Sequence, residues 1–313
     1  MKNSRILLFL LLSFTFYSCA DSDKESLVGD FESNSAPTIM DTVPGDGMTN
    51  IPRNTGLSVT FSEQMNSATI TTNESDTSCS GTLQLSADGF TTCIQMQMQP
   101  TTDVAGERYT VTPQSDLDYS KSYIFKITTG AFNLKGDSLA SDYTAPVGFQ
   151  TIAPITIFRI NTPVTGGFGA THLADCESAK SAEGIPGTSV KPFISIGLTS
   201  EIKDIPGIPQ TGVEVFSSSG TRLKQNWSLL WTENSIDVSL FAASVLPSST
   251  DSWWSGTYNN GQTGGGGAND CSDWTADATI TGEYGDANFA DSTWIWVGTV
   301  TCDLPKYRLC VAW

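Results

Sequence analysis

Apolar and polar residues alternate in several short runs between about Ala36 and Thr151. "LSVTFS", "TLQLS", "CIQMQMQP" and "YIFKITTG" each set apolar side chains on one face, the signature of a half-buried strand. Turn-forming clusters separate them: "PGDG", "IPRN", "SADG" and "NLKGD". No long helical period interrupts the series. Short strands at this spacing predict a β-sandwich over residues 36–152.

The pattern changes near Ile152–Pro154. In "ATHLADCESAKSAEG", Leu173, Cys176 and Ala179 or Lys180 fall near helical spacing, and Gly184 supplies a stop. This is the best helix in the chain, and Cys176 is expected to face inward from it. Beyond it, "FISIGLTS", "GVEVFSSSGTRL", "WWSGT", "CSDWTAD", "STWIWVGTVTC" and "YRLCVAW" read mostly as short strands joined by Gly-, Ser- and Asp-rich loops. Residues 153–313 thus form a second domain of mixed character, mainly β with a small helical part. "QTGGGGAND" reads as a surface loop and not a phosphate cradle, because no Lys-Ser/Thr pair follows it.

The N-terminus belongs to neither domain. Lys2 and Arg5 precede the apolar run "ILLFLLLSFTF", and "YSCA" follows. That is a charged region, a short hydrophobic region and a cleavage signal over residues 1–18. The run is too short to cross a bilayer, which takes roughly 20 residues. The cut resembles a loose bacterial lipobox of the spirochaetal kind, with Cys19 as the lipid-bearing residue. The alternative is an ordinary secreted protein with Cys19 unmodified. Residues 19–35 carry Asp21, Asp23, Glu25, Asp30 and Glu32 and few apolar residues, so they are expected to act as a flexible acidic tether.

Charge narrows the partners. Loss of Lys2 and Arg5 with residues 1–18 takes the formal charge from -17 to -19. Nucleic acid, heparin and anionic lipid are held by Lys/Arg clusters, and the chain has none that stands out. Seven cysteines leave six once Cys19 is lipidated, and export provides the oxidising compartment in which disulfides form. Cys79 and Cys93 flank "SGTLQLSADGFTT", so two strands and a turn would bring them together; a metal pair is the weaker alternative, as no histidine lies nearby. Cys176, Cys271, Cys302 and Cys310 allow three connectivities.

Two resemblances extend this reading. "APTIMDTVPGDGMTNIPRNTGLSVTFSEQMNSATI", with "YIFKITTGAF" and "GFQT" later, resembles the bacterial Ig-like domain of surface-associated proteins, which implies a spacer or presentation module. The order of the last four cysteines resembles the C-type lectin-like fold. In that fold the helix cysteine pairs with the final one and the middle two staple the long loop region. The resemblance implies Cys176–Cys310 and Cys271–Cys302. More narrowly, "GGFGATHLADCESAKSAEGIPG", "WWSGT", "CSDWT" and "TCDLPKYRLCV" resemble leptospiral endostatin-like surface lipoproteins. That family implies a lipid-anchored protein, on the outer membrane and exposed at the surface. Its expected partners are host extracellular-matrix, plasma or complement proteins, in adhesion or immune evasion. The alternative is a periplasm-facing structural or glycan-binding envelope lipoprotein.

Catalytic chemistry is not expected. His172 is the lone histidine and is expected to be exposed or to cap the helix, and the cysteines are accounted for by lipid and disulfides. One histidine cannot supply an endostatin-type zinc site. The Glu-Pro-Asn and Trp-Asn-Asp motifs of calcium-dependent lectins do not occur. A different Ca2+ site would draw on Asp270, Asp273, Asp286 or Asp291, although solvated loop carboxylates are the expected reading. Of the eight tryptophans, all in the second domain, Trp254, Trp274 and Trp294 or Trp296 are expected in the core. "TWIWVG" sets Trp294 and Trp296 on one inward face. Trp253 is the tryptophan expected to be exposed, and with Asp270 and Asp273 it makes up the candidate binding residues.

Overall fold

The clearest alternations do become strands. Leu57–Phe61 (β2) pairs with Ile39–Val43 (β1) and with Arg108–Val111 (β5), and Thr101–Thr102 (β4) closes that sheet in the order β1-β2-β5-β4. Leu83–Ser86 (β3) pairs with Ser122–Ile127 (β6), whose other edge takes Tyr143–Thr144 (β7) and Phe149–Gln150 (β8). Along β6, Tyr123, Phe125 and Ile127 are buried, while the residues between them are exposed or half-buried. The two sheets close on Leu57, Val59, Phe61, Leu83, Leu85, Tyr109, Phe125 and Ile127. This is a computed structural model and describes residues 36–198, 200–263 and 269–313. The expectations placed on residues 1–35, Cys19 included, and on the four glycines of "QTGGGGAND" lie outside the described residues.

One alternating run fails. "CIQMQMQP" forms no strand and pairs only through an isolated bridge from Met96 to Pro113. Its glutamines turn to main-chain partners instead: Gln95 donates to the Glu74 carbonyl, and Gln99 both accepts from Thr72 N–H and donates to the Thr72 carbonyl. The strand pair expected between Cys79 and Cys93 reduces likewise to β3 alone. Asp88 accepts from Thr92 N–H and Oγ1 and holds the chain in a turn, so the second half never extends.

The remaining strands build one eight-stranded sheet. In chain order these are Ile155–Val164 (β9), Val190–Pro192 (β10), Val215–Ser217 (β11), Arg222–Lys224 (β12), Ser252–Trp254 (β13), Thr281–Asp286 (β14), Gly298–Thr301 (β15) and Lys306–Ala312 (β16). Their order is β12-β11-β9-β16-β13-β14-β15, with β10 on β16. Two helices are added, His172–Glu183 (α1) and Trp227–Thr232 (α2). Asp175 in the first turn and Lys180 in the last suit the dipole of α1. Gly184 ends it at φ 64°, its N–H reaching the Lys180 and Ser181 carbonyls. "FISIGLTS" is a turn with one bridge, Ile196 to Ser200; the strand lies just before it, at β10. No helix among the described residues is long and apolar enough to cross a membrane.

Residues from Pro37 to Trp313 form one unit, and the join between the sandwich and the second sheet is polar and aromatic. Arg53 lies 4.0 Å above the Tyr119 ring, pairs with Glu214 at 3.2 Å and donates to the Leu117 carbonyl. Tyr119 meets Phe216 edge to face at 5.9 Å, and its hydroxyl accepts from Glu214 N–H. A cavity of about 250 Å³ opens beside them, between Tyr119, Pro154, Ile185 and Phe216.

Candidate binding surface

The centre of the C-terminal sheet is buried on both faces, which decides where its aromatic residues go. β13 lies between β16 and β14, so successive residues enter two different cores. Trp253 enters one and stacks on Phe193 at 5.4 Å. Phe193 also meets Trp227 edge to face at 5.6 Å. Trp254 enters the other, 5.5 Å from Trp274, which stacks on Phe168 at 5.1 Å. Trp227, Trp253, Trp254, Trp274 and Trp294 have no exposed surface. Each removes on the order of 200 Å² from water, roughly 5 kcal/mol as an upper bound.

Trp253 is therefore not a surface residue, contrary to the sequence expectation. Its Nε1 donates to the Trp294 carbonyl at 2.9 Å. The expectation for "TWIWVG" is corrected as well. Asp291 accepts from Thr293 N–H and caps a 3-10 turn, Ser292–Trp294, which replaces the two-residue period. Trp294 points in, and Trp296 comes out at 36% exposure. There it meets Tyr258, 38% exposed, edge to face at 5.5 Å.

Three disulfides are present: Cys79–Cys93, Cys176–Cys310 and Cys271–Cys302. The second joins α1 to β16, and polar contacts reinforce it. Arg308 donates to Asp175 at 2.6 Å and lies 5.3 Å from the Phe168 ring. Partial burial raises the Asp175 pKa, but hydrogen bonds from Arg308 and Thr171 outweigh it and hold the carboxyl below its ordinary range. His172 is buried rather than exposed, because the first turn of α1 faces β16. Its Nε2 lies 3.1 Å from the Leu309 carbonyl. Burial, and then the Arg308 charge, push its pKa down to about 3. His172, Cys176 and Cys310 are the one group among the described residues with metal-ligand spacing, and both sulfurs are already bonded to each other.

The third disulfide fixes the candidate loop. A side chain at Gly166 would come within 2.4 Å of Cys271 Sγ, so only a glycine lets the two segments approach. Residues Cys271–Trp274 all have φ between 53 and 59°, a left-handed turn that costs about 1–2 kcal/mol per residue. Asp270 offsets that cost. Its carboxylate accepts from Asp273 N–H at 3.0 Å and from Gly197 N–H at 2.8 Å, and its carbonyl accepts from Trp274 N–H. Asp270 is thus buried and structural, with its carboxylate satisfied internally, while Asp273 is exposed. Asp286 and Asp291 each accept from a main-chain N–H two residues on. Among the described residues, the four aspartates form no ligand cluster of three.

Sequence reasoning missed Lys306. It is buried, donates to Ser252 and lies 3.9 Å from the Tyr284 centroid and 5.6 Å from that of Trp254. Burial lowers its pKa to about 8, against the pull of Asp286. A single Lys opening a strand carries no signal of such a cage.

Comparison with known proteins bears on the first sheet pair. Residues 33–151 match the family described as the bacterial Ig-like domain. No curated protein matches the chain. Similar solved structures include the N-terminal part of the bacterial S-layer protein SbsC, with TM-score 0.29, 18% identity, 43% of this chain and 30% of that one. Domains 1–6 of surface layer protein SbsC give TM-score 0.29 at 18% identity, over 43% of this chain and 17% of that one. The S-layer protein rSbsC(31-844) gives 0.28 at the same identity and shares. The chain spans less than a third of the length of these proteins.

Proposed function

We propose that the chain is a bacterial cell-surface protein, lipid-anchored through Cys19, whose Ig-like sandwich carries a C-type lectin-like region that binds host macromolecules. Host matrix, plasma and complement proteins are the proposed partners, as in adhesion or immune evasion. The observation that carries this reading is the two disulfides of the C-terminal region. Cys176–Cys310 ties the early helix to the last strand, and Cys271–Cys302 pins the long loop region. This is the cysteine arrangement of the lectin-like fold. Loops held on such a frame are where recognition usually resides. The match of residues 33–151 to the bacterial Ig-like domain supports a spacer role for the sandwich.

Protease accessibility of residues 153–313 on intact cells, with a periplasmic protein as control, tests the placement. Cleavage with the control intact is the expected result, followed by saturable binding in a panel of host proteins. Protection until the outer membrane is broken would turn the reading to a periplasm-facing envelope role. Mass spectrometry tests the anchor, with an acylated N-terminal Cys19 expected.

A further inference from the structure

The aromatic pair that the 3-10 turn brings to the surface has the makings of a ligand platform. Tyr258 and Trp296 lie 86° apart in plane, each more than a third exposed, in a region where six of the other seven tryptophans are buried. Both stand on short, internally bonded segments. The turn around Tyr258 is closed by a bridge between Thr257 and Thr263, by Tyr258 N–H on the Gln262 carbonyl at 2.9 Å, and by Gly261 N–H on the Tyr258 carbonyl at 3.0 Å. Gly261 holds φ 75° against Trp231, where a side chain would come within 2.6 Å of the indole. Trp296 N–H reaches the Ser292 carbonyl, and Val297 N–H the Tyr284 carbonyl. Neither ring has to be ordered when a ligand arrives, which removes part of the cost of binding.

Amide groups stand in the same turn. Asn260 Nδ2 donates to Gln262 Oε1 at 2.7 Å, and Asn260 Oδ1 accepts from Gln262 N–H. The exposed Gln262 side chain keeps its Nε2 donors for an outside acceptor. A ring face carries a negative quadrupole and attracts weakly positive C–H groups. The axial C–H groups of a pyranose present such a surface, and its hydroxyls suit amide partners. The chain's formal charge of -17 disfavours sulfated or sialylated sugars.

We infer that Tyr258 and Trp296, with the amides of Asn260 and Gln262 beside them, form a metal-independent binding site for a neutral pyranose-containing glycan. The inference rests on the binding reading above and names a ligand class for it.

Titration of the full chain with lactose, cellobiose, mannotriose and chitotriose, in the presence of chelator, tests it. Saturable binding of at least one sugar is expected, with Kd on the order of 0.1–10 mM. Trp296→Leu keeps apolar bulk without a ring face and is expected to weaken binding about tenfold or more, as is Tyr258→Ala. Tyr258→Phe should stay within about twofold, since the ring remains. No binding of any of the four at about 20 mM overturns the inference, as does binding that Trp296→Leu and Tyr258→Ala leave unchanged. The two readings fail separately. Sugar binding by a chain whose C-terminal region is protected on intact cells removes the surface reading alone. An accessible region that binds a host protein but no sugar removes the glycan site alone.

Discussion

The sandwich and the C-terminal sheet solve the same packing problem with different materials. The sandwich closes two sheets over aliphatic residues, Phe61, Tyr109 and Phe125, and its disulfide joins residues only 14 apart at one side. The C-terminal sheet joins its strands through long loops, and it fills both faces with tryptophan. Its disulfides span 134 and 31 residues. The longer closed loops gain more from covalent closure, because each removes more freedom from the unfolded chain.

That contrast is open to direct attack, since all eight tryptophans lie in the C-terminal region and indole fluorescence therefore follows it alone. The largest effect is expected from Cys176→Ser with Cys310→Ser, about 5 kcal/mol in the chain-entropy account. Removing Cys79–Cys93 should cost about 3 kcal/mol and leave the fluorescence transition in place, a result read by denaturant unfolding followed with fluorescence and far-UV circular dichroism. Equal losses would end the comparison.

Next is Trp274→Ala, expected to cost about 4 kcal/mol. Trp274→Phe isolates the hydrogen bond from Nε1 to the Ser195 carbonyl. It should cost more than Trp294→Phe, because Trp294 Nε1 is buried without a partner and its removal deletes an unsatisfied donor.

A smaller effect, about 2 kcal/mol at pH 5, comes from His172. The unfolded chain binds the imidazole proton near pH 6.5, the folded chain only near about 3. Falling pH therefore favours the unfolded form throughout that window, and stability returns as pH rises through it. His172→Gln should flatten the profile between pH 6.5 and 5, measured by thermal melts. The sandwich contains no histidine and should show no such dependence there. The smallest effect is expected at the join, where Arg53→Ala should cost about 1 kcal/mol, as its ion pair with Glu214 is partly solvated.

Period and turn chemistry made β2, β3, β6 and α1 legible, along with the stop at Gly184. What stayed hidden depended on partners distant in sequence. "CIQMQMQP" alternates like a strand, yet its glutamines find main-chain partners near residues 72–74. Trp253 and Trp254 look like one inward and one outward residue until β14 and β16 are known to flank them. "TWIWVG" misleads because Asp291 starts a 3-10 turn, a signal that was present in "ADSTW" as an acidic cap two residues before Thr293. The exposed pair of Tyr258 and Trp296 followed from that single change of period.

The placing of β9 has a mechanical consequence. The strand enters the C-terminal sheet at Ile155, directly after the sandwich, with β11 along one edge and β16 along the other. Tension applied between the sandwich and the loops at the far end would run lengthwise through β9. Its hydrogen bonds on both edges would then bear the load in shear and together, rather than opening one at a time as in a zipper. The bond from Cys310 to Cys176 ties β16 to α1, so the strand that grips β9 cannot itself be peeled away under traction.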